Sequence, residues 1–266
     1  MNRPTWAPPD VDLDRPSPAR IYDYMLGGSH NFAADRQMAE MVLAAAPFIR
    51  PSAHANRDFL RRAVQYLVGA GITQFLDIGS GVPTVGNVHE VAQRAAPDAR
   101  VVYVDIDPVA VAHSREIVAG NDRVAVIQAD FRQPPSILTD PVVRTTLDFG
   151  QPIAILLVGL LHFVLDEDHP ADAIAELRDA VVPGSYLVIS QVSRPAEITP
   201  DQREMMERYT RANPVAMRPP DEITAFFAGF ELIEPGLVAT ARWHAEPGTA
   251  DDVELMPSYS GVAIKR

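Results

Sequence analysis

From residue 73 onward the chain alternates short apolar runs with longer segments in which apolar residues recur every three or four positions. The runs "TQFLDI" (73–78), "RVVYVDI" (100–106), "RVAVIQAD" (123–130), "PIAILLVG" (152–159), "SYLVIS" (185–190), "FELIEP" (230–235) and "YSGVAIKR" (259–266) are predicted strands. Helical segments are expected between the first five, at about 84–95, 108–119 and 170–181. Strands alternating with helices imply right-handed crossovers and a mostly parallel sheet of seven strands, an α/β fold flanked by helices. Runs that are apolar throughout, such as "VVYV" and "AILLV", suit a sheet covered on both faces. The last strand follows a long connection (236–258) and is expected as an antiparallel edge.

Ahead of this region lie a proline-rich arm, residues 1 to about 16, and three predicted helices at roughly 17–27, 32–46 and 52–70. The third is the clearest. Pro51 and Ser52 open it, Leu60, Ala63, Val64, Leu67 and Val68 form its apolar stripe, and "GAG" at 69–71 closes it. Arg57, Arg61 and Arg62 fall off that stripe. The chain thus divides into an N-terminal arm with helices (1–70) and a sheet domain (71–266).

The chemistry gathers where strands end. In an open α/β sheet, ligands bind beyond the carboxyl ends of the strands. "FLDIGSGVPT" (75–84) leaves the first strand through Asp77, Gly79, Ser80 and Gly81, and the two glycines let a ligand approach the backbone. Pro83 suits the first turn of the next helix, since it lacks a donor. A dinucleotide turn wants G-x-G-x-x-G, and Thr84 stands at the third glycine position. Asp77 before the turn would repel a pyrophosphate and suit an ammonium or sulfonium group, or the segment is an ordinary strand-to-helix turn.

The second strand ends "VDIDP". Asp105 is placed to reach ribose hydroxyls with Ile106 beside it, or is a solvated strand-end acid; Asp107 before Pro108 reads as a helix N-cap. The third ends "QADF", where Asp130 can accept from an adenine amino group while Phe131 either flanks the ring or packs in the core.

Composition narrows the options. The 266 residues carry 47% hydrophobic side chains, enough for a full core, and no cysteine, so disulfides and thiolate chemistry are excluded. The remaining histidines show no ligand spacing, so no metal site is expected. A formal net charge of −12 disfavours nonspecific contact with nucleic acid or anionic membranes and points to a small-molecule partner. No signal peptide or membrane-length apolar run is found, which suits a cytoplasmic protein.

"LDIGSG", "VDIDP" and "QADF" together resemble the motifs of class I S-adenosylmethionine-dependent methyltransferases. With "ARIYDYMLGGSHNFAADR" (19–36) and "ANRDFLRRAVQYL" (55–67), nearly the whole chain is similar to one bacterial family of methyltransferase-like proteins that shares the proline after the glycine turn. The resemblance implies a Rossmann-like sheet with S-adenosylmethionine at its carboxyl edge, and leaves the methyl acceptor open. On that reading the N-terminal helices fold over the cofactor as a lid, with Tyr22, Tyr24 and Asn31 facing the pocket. Arg57 would pair with the methionyl carboxylate through its bidentate fork, and Gly159 would meet the cofactor's amino group. His162 would act as base or acceptor-orienting group, or is simply a polar residue at a strand end. A cofactor-holding sensor without catalysis and a nicotinamide-dependent oxidoreductase stand as alternatives.

Overall fold

The computed structural model describes residues 11–82, 86–194, 199–246 and 255–266. Parallel strands β1 (Gln74–Ile78), β2 (Arg100–Asp105), β3 (Val124–Gln128), β4 (Ala154–Val158) and β5 (Tyr186–Val192) form the body of the sheet. The two-residue strands β6 (Glu231–Leu232) and β7 (Val238–Ala239) and the longer β8 (Ser258–Ile264) complete it. The order is β3-β2-β1-β4-β5-β8-β6, with β7 also paired to β8. Strand order reverses between β1 and β4, so the carboxyl ends of these two strands border the crevice where such sheets bind ligands.

Side chains alternate between two buried cores, one on each face. Phe75, Val101, Tyr103, Ala154, Leu156 and Val188 enter one; Leu76, Val102, Val104, Ile155, Leu157 and Leu187 enter the other. That period of two on a sheet buried on both sides is why the strands read as continuous apolar runs. Helix α3 (Ile49–Gly69) fills the first core with Phe59, Leu60, Ala63, Val64 and Leu67. Gly71 (φ +89°) takes the left-handed position that ends it. Helices α4 (Val88–Ala95) and α5 (Pro108–Ile117) cover the same face. On the other lie α6 (Pro134–Leu138), α7 (Pro141–Thr146), α8 (Pro170–Ala180) and, after α9 (Pro200–Ala212), α10 (Pro220–Ala225).

Helices α1 (Pro18–Met25) and α2 (Ala33–Ala45) do not join either sheet core. They share a separate small core with α9, built from Ile21, Met25, Ala39, Val42, Ala46 and Met205. Helix α3 spans both: Ala53 near its start enters this small core, and Phe59, Leu60, Ala63, Val64 and Leu67 enter the sheet core.

Three expectations are corrected. β8 is antiparallel but not an edge: it lies between β5 and β6, pairing with β5 along seven residues. The sheet has eight strands, because β7 pairs with β8 over two residues. Helix α4 begins at Val88 rather than near 84; the Glu90 carboxylate accepts from the backbone N–H of Gly86 and Asn87 and so fixes the start. Pro83 and Thr84 lie outside the described residues.

Candidate active site

The turn after β1 is fastened to β2. The Gly79 and Ser80 N–H groups both donate to the Val104 carbonyl (2.8 and 3.2 Å), and Gly81 N–H donates to Asp105 Oδ2 (2.7 Å). Gly79 has φ +73°, and a Cβ there would lie 2.7 Å from Leu160 Cδ1. Only glycine meets both demands. The other Asp105 oxygen accepts from Asp107 N–H (2.8 Å). Asp107 in turn caps α5, accepting from Val109 and Ala110, as its place before Pro108 predicts. Its second oxygen takes the Ser17 hydroxyl and Arg20 Nη1 (3.2 Å), while Arg20 Nε holds Asp35 (2.9 Å). The buried Arg20 thereby ties α1 and α2 to the end of β2.

A cavity of about 430 Å³ opens over these strand ends. Asp77, Gly79, Ser80, Gly81, Asp105 and Ile106 line one side, with Asp130 and Phe131 from the end of β3. Gly159 and His162 follow β4, Arg57 enters from α3 and Tyr22 from α1. Ile106 is 55% exposed although apolar, and Phe131 is buried, serving both the core and the cavity wall. Arg57 lies 5.8 Å over the Tyr22 ring. Tyr22 donates its hydroxyl to the Ala53 carbonyl (2.9 Å).

Two expected site residues face elsewhere. Tyr24 donates its hydroxyl to Glu40 (2.5 Å), joining α1 to α2 away from the cavity. Asn31 is buried in the loop between them: its amide donates to Asp23 Oδ2 (2.8 Å) and the Gly28 carbonyl (3.0 Å), and its oxygen accepts from Arg36. The short α1 leaves its following loop to be held by side chains, and Asn31 does that work.

The electrostatics are those of a buried acidic crevice facing a cation. Burial pushes the Asp77 carboxyl up to about 7, against the pull of Arg57. Burial raises Asp105 to about 6, although the Asp107 and Gly81 N–H groups oppose this. Partial burial also works against ionisation of Asp130, yet its hydrogen bonds to Arg132 Nε and Nη2 (3.0 and 2.6 Å) hold it below its ordinary value. Burial, aided by Arg218, lowers His162 to about 4, so the imidazole is neutral at pH 7.

The sequence reading missed the rest of the wall. Asn56 receives the Ser190 hydroxyl (2.6 Å) and donates to the Tyr22 hydroxyl (3.2 Å), joining α3, β5 and α1 beneath the cavity. Its signal was present, one residue from Arg57 and off the same stripe. Gln191 on β5, and Met205, Met206 and Tyr209 on α9, carried none: α9 has no long apolar stripe, and β5 reads only as a buried strand.

Four buried side-chain atoms on lining residues have no hydrogen-bond partner: Arg57 Nε, Ser80 Oγ, His162 Nδ1 and Gln191 Oε1. Buried polar groups are seldom left so, and their convergence on one cavity marks a binding site for a polar ligand. A glycine turn without room for a Cβ at Gly79, two buried acids and the Arg57 guanidinium fit a nucleoside bearing an amino acid better than they fit a pyrophosphate. Among the described residues no group of three or more metal-ligating side chains occurs, and no helix is long and apolar enough to cross a membrane.

Comparison with known proteins agrees with this geometry. A profile described as S-adenosyl methyltransferase matches residues 4–266. A candidate methyltransferase from Thermobifida fusca is 42% identical, with a TM-score of 0.91 over 99% of this chain and 100% of its own. A DUF574 family protein from Streptomyces avermitilis is 39% identical, with a TM-score of 0.90 over 96% of this chain and 100% of its own. The N-methyltransferase NodS from Bradyrhizobium japonicum, in complex with S-adenosyl-L-homocysteine, shares the fold: 13% identity and a TM-score of 0.50 over 86% of this chain and 97% of its own. A search of curated proteins finds no match.

Proposed function

We propose, from the premise that the chain belongs to the S-adenosyl methyltransferase family, that its cavity holds S-adenosylmethionine along the strand ends and passes the methyl group to a small-molecule acceptor. The observation that carries this reading is one continuous cavity. It runs from the glycine turn and Asp105, past Gly159 and His162, to a chamber walled by α1, α2 and α9.

The cofactor supplies an electrophilic methyl group on a sulfonium. The residues of this chain bind, orient and exclude water around it. Asp105 has lone pairs beyond the two it gives to backbone N–H groups, so it accepts from both ribose hydroxyls while Gly81 stays fixed. Ile106 and Phe131 bracket the adenine, and Asp130, already oriented by Arg132, takes its amino group. Arg57 pairs with the methionyl carboxylate. Asp77 and the Gly159 carbonyl face its ammonium, which draws Asp77 into the ionised form.

Methyl transfer is an in-line displacement in which alignment alone supplies roughly 7–11 kcal/mol at best. His162 is too weak a base, near 4, to remove a proton from most acceptors, and so serves to orient the acceptor. The helix-walled chamber is not filled by side chains, which supports turnover over the alternative of a cofactor-holding sensor.

Calorimetric titration with S-adenosylmethionine, S-adenosylhomocysteine and NADH tests the reading. Both adenosyl ligands should bind near micromolar, about −8 kcal/mol, and NADH should not. Arg57→Ala should weaken S-adenosylmethionine about tenfold or more, as the loss of a charged hydrogen bond does. Unchanged affinity removes Arg57 from the site; NADH binding alone overturns the cofactor assignment.

A further inference from the structure

We infer, resting on the methyltransferase reading above, that the acceptor is a neutral aromatic alcohol (a phenol or a hydroxylated fused-ring compound) whose hydroxyl is received by Gln191. The chamber beyond His162 is walled by five of the chain's eight methionines, Met25, Met205, Met206, Met217 and Met256. Methionine is unbranched and polarisable, and its sulfur packs favourably against aromatic ring edges. A wall of this kind accepts a flat apolar body without demanding one outline. Phe48 and Tyr209 add aromatic surface to the same chamber.

Against this apolar wall stands one buried polar pair. Gln191 is 1% exposed on β5; its amide nitrogen donates to the Ala216 carbonyl (3.3 Å), and its oxygen has no donor. The same Ala216 donates its N–H to the His162 carbonyl (2.8 Å), so Gln191 and His162 are held beside each other through one residue. His162 Nδ1 is likewise buried and without a partner. An unsatisfied buried acceptor costs about 1–3 kcal/mol, and a donor on the ligand removes that cost. The fixed end of the Gln191 amide leaves an acceptor for an O–H.

Charge decides between hydroxyl and amine. An aliphatic amine is cationic at neutral pH and would lose its hydration in an apolar chamber. Arg218, paired with Asp166 (2.6 Å), lies close enough to His162 to lower its affinity for a proton, and Arg57 is taken up by the methionyl carboxylate. An aromatic hydroxyl is neutral and carries no such desolvation cost. In the reaction a lone pair of the acceptor oxygen forms the new O–CH3 bond as the S–CH3 bond breaks, that bond's electron pair remaining on sulfur. The hydroxyl proton passes to water, and Gln191 holds the oxygen in line without taking the proton.

The test uses the full chain with two probes, 1-naphthol and the cationic 1-naphthylmethylamine. Calorimetry first establishes S-adenosylmethionine binding, and naphthol is then titrated into the complex with S-adenosylhomocysteine while O-methylation is followed separately. Naphthol should bind and be methylated, and the amine should do neither. Gln191→Leu should raise the naphthol Kd and KM about tenfold, the loss of one hydrogen bond to a buried group, with S-adenosylmethionine affinity unchanged. Met206→Trp, which narrows the chamber from its partly buried rim, should reduce naphthol binding with the same selectivity, a check independent of Gln191. No naphthol binding to a protein that binds S-adenosylmethionine overturns this inference and leaves the methyltransferase reading standing, as does turnover of the amine in its place. Absence of S-adenosylmethionine binding overturns the reading itself.

Discussion

The two walls of the cavity are built on opposite plans. The sheet-side wall is a short turn stitched by backbone hydrogen bonds: Gly79, Ser80 and Gly81 donate to Val104 and Asp105, and Asp107 N–H donates to the other Asp105 oxygen. The backbone N–H groups of Gly79, Ser80 and Gly81 are all held by the adjacent strand β2. The helix-side wall comes from α1, α2 and α9, brought together by alanines, methionines and tyrosines with few hydrogen bonds between them. A rigid wall suits a ligand that never changes, and a pliable one suits an acceptor that evolution can exchange. On the proposed reading, the rigid wall sets specificity for the cofactor and the pliable one for the acceptor.

That contrast can be broken by substitution. The largest effect is expected for Asp105→Ala, which removes the acid proposed to hold the ribose and loosens Gly81 together. S-adenosylmethionine affinity should fall about a hundredfold, or roughly 3 kcal/mol, read by calorimetry; a loss under threefold would show that Asp105 only braces the turn. Gly79→Ala adds a left-handed penalty of about 1–2 kcal/mol and forces the Leu160 side chain aside. Chemical denaturation should show a loss somewhat above that penalty.

Next comes pH. Asp77 and Asp105 sit at about 7 and 6 in the folded chain and near 3.8 when unfolded. At these two acids the folded protein binds more protons between these values, so their contribution to stability is lost as pH rises from about 4 to 7, offset in part by His162, whose folded value near 4 acts in the opposite sense. A cationic ligand favours the ionised acids, so stabilisation by S-adenosylmethionine should be larger at pH 8 than at pH 5.5. Thermal melts with and without ligand check this, and an equal shift at both pH values would remove Asp77 from contact with the cation. The smallest effect belongs to the helix side. Met205→Leu conserves volume and should cost less than about 1.5 kcal/mol, leave S-adenosylmethionine affinity untouched, and alter acceptor preference in a turnover assay.

The same division governs what the sequence disclosed. The central strands β1, β2, β4 and β5 were legible because they are covered on both faces and therefore largely apolar, and Asp107 announced itself by the proline after it. The glycine turn and the acids of β1 and β2 lie within a few residues of a strand end, so their position follows from the strand. The helix side is assembled from segments distant in the chain. Met205 and Met206 reach the cavity from a helix whose exposed faces are strongly polar, and no periodicity marks them. Asn31 and Tyr24 misled for a related reason. A polar, aromatic, glycine-containing loop reads as a binding surface, yet Asn31 is spent on Asp23 and Gly28, and Tyr24 on Glu40. Composition alone cannot tell a loop that holds a ligand from one that holds itself.

The position of β8 has a consequence for synthesis. Strand β8, some 65 residues after β5 in the chain, enters the sheet between β5 and β6. Until it arrives, β5 presents seven residues of unpaired backbone, the kind of edge on which chains aggregate. A chain that stops before residue 258 leaves this edge of β5 open, so a truncated product is expected to associate through it.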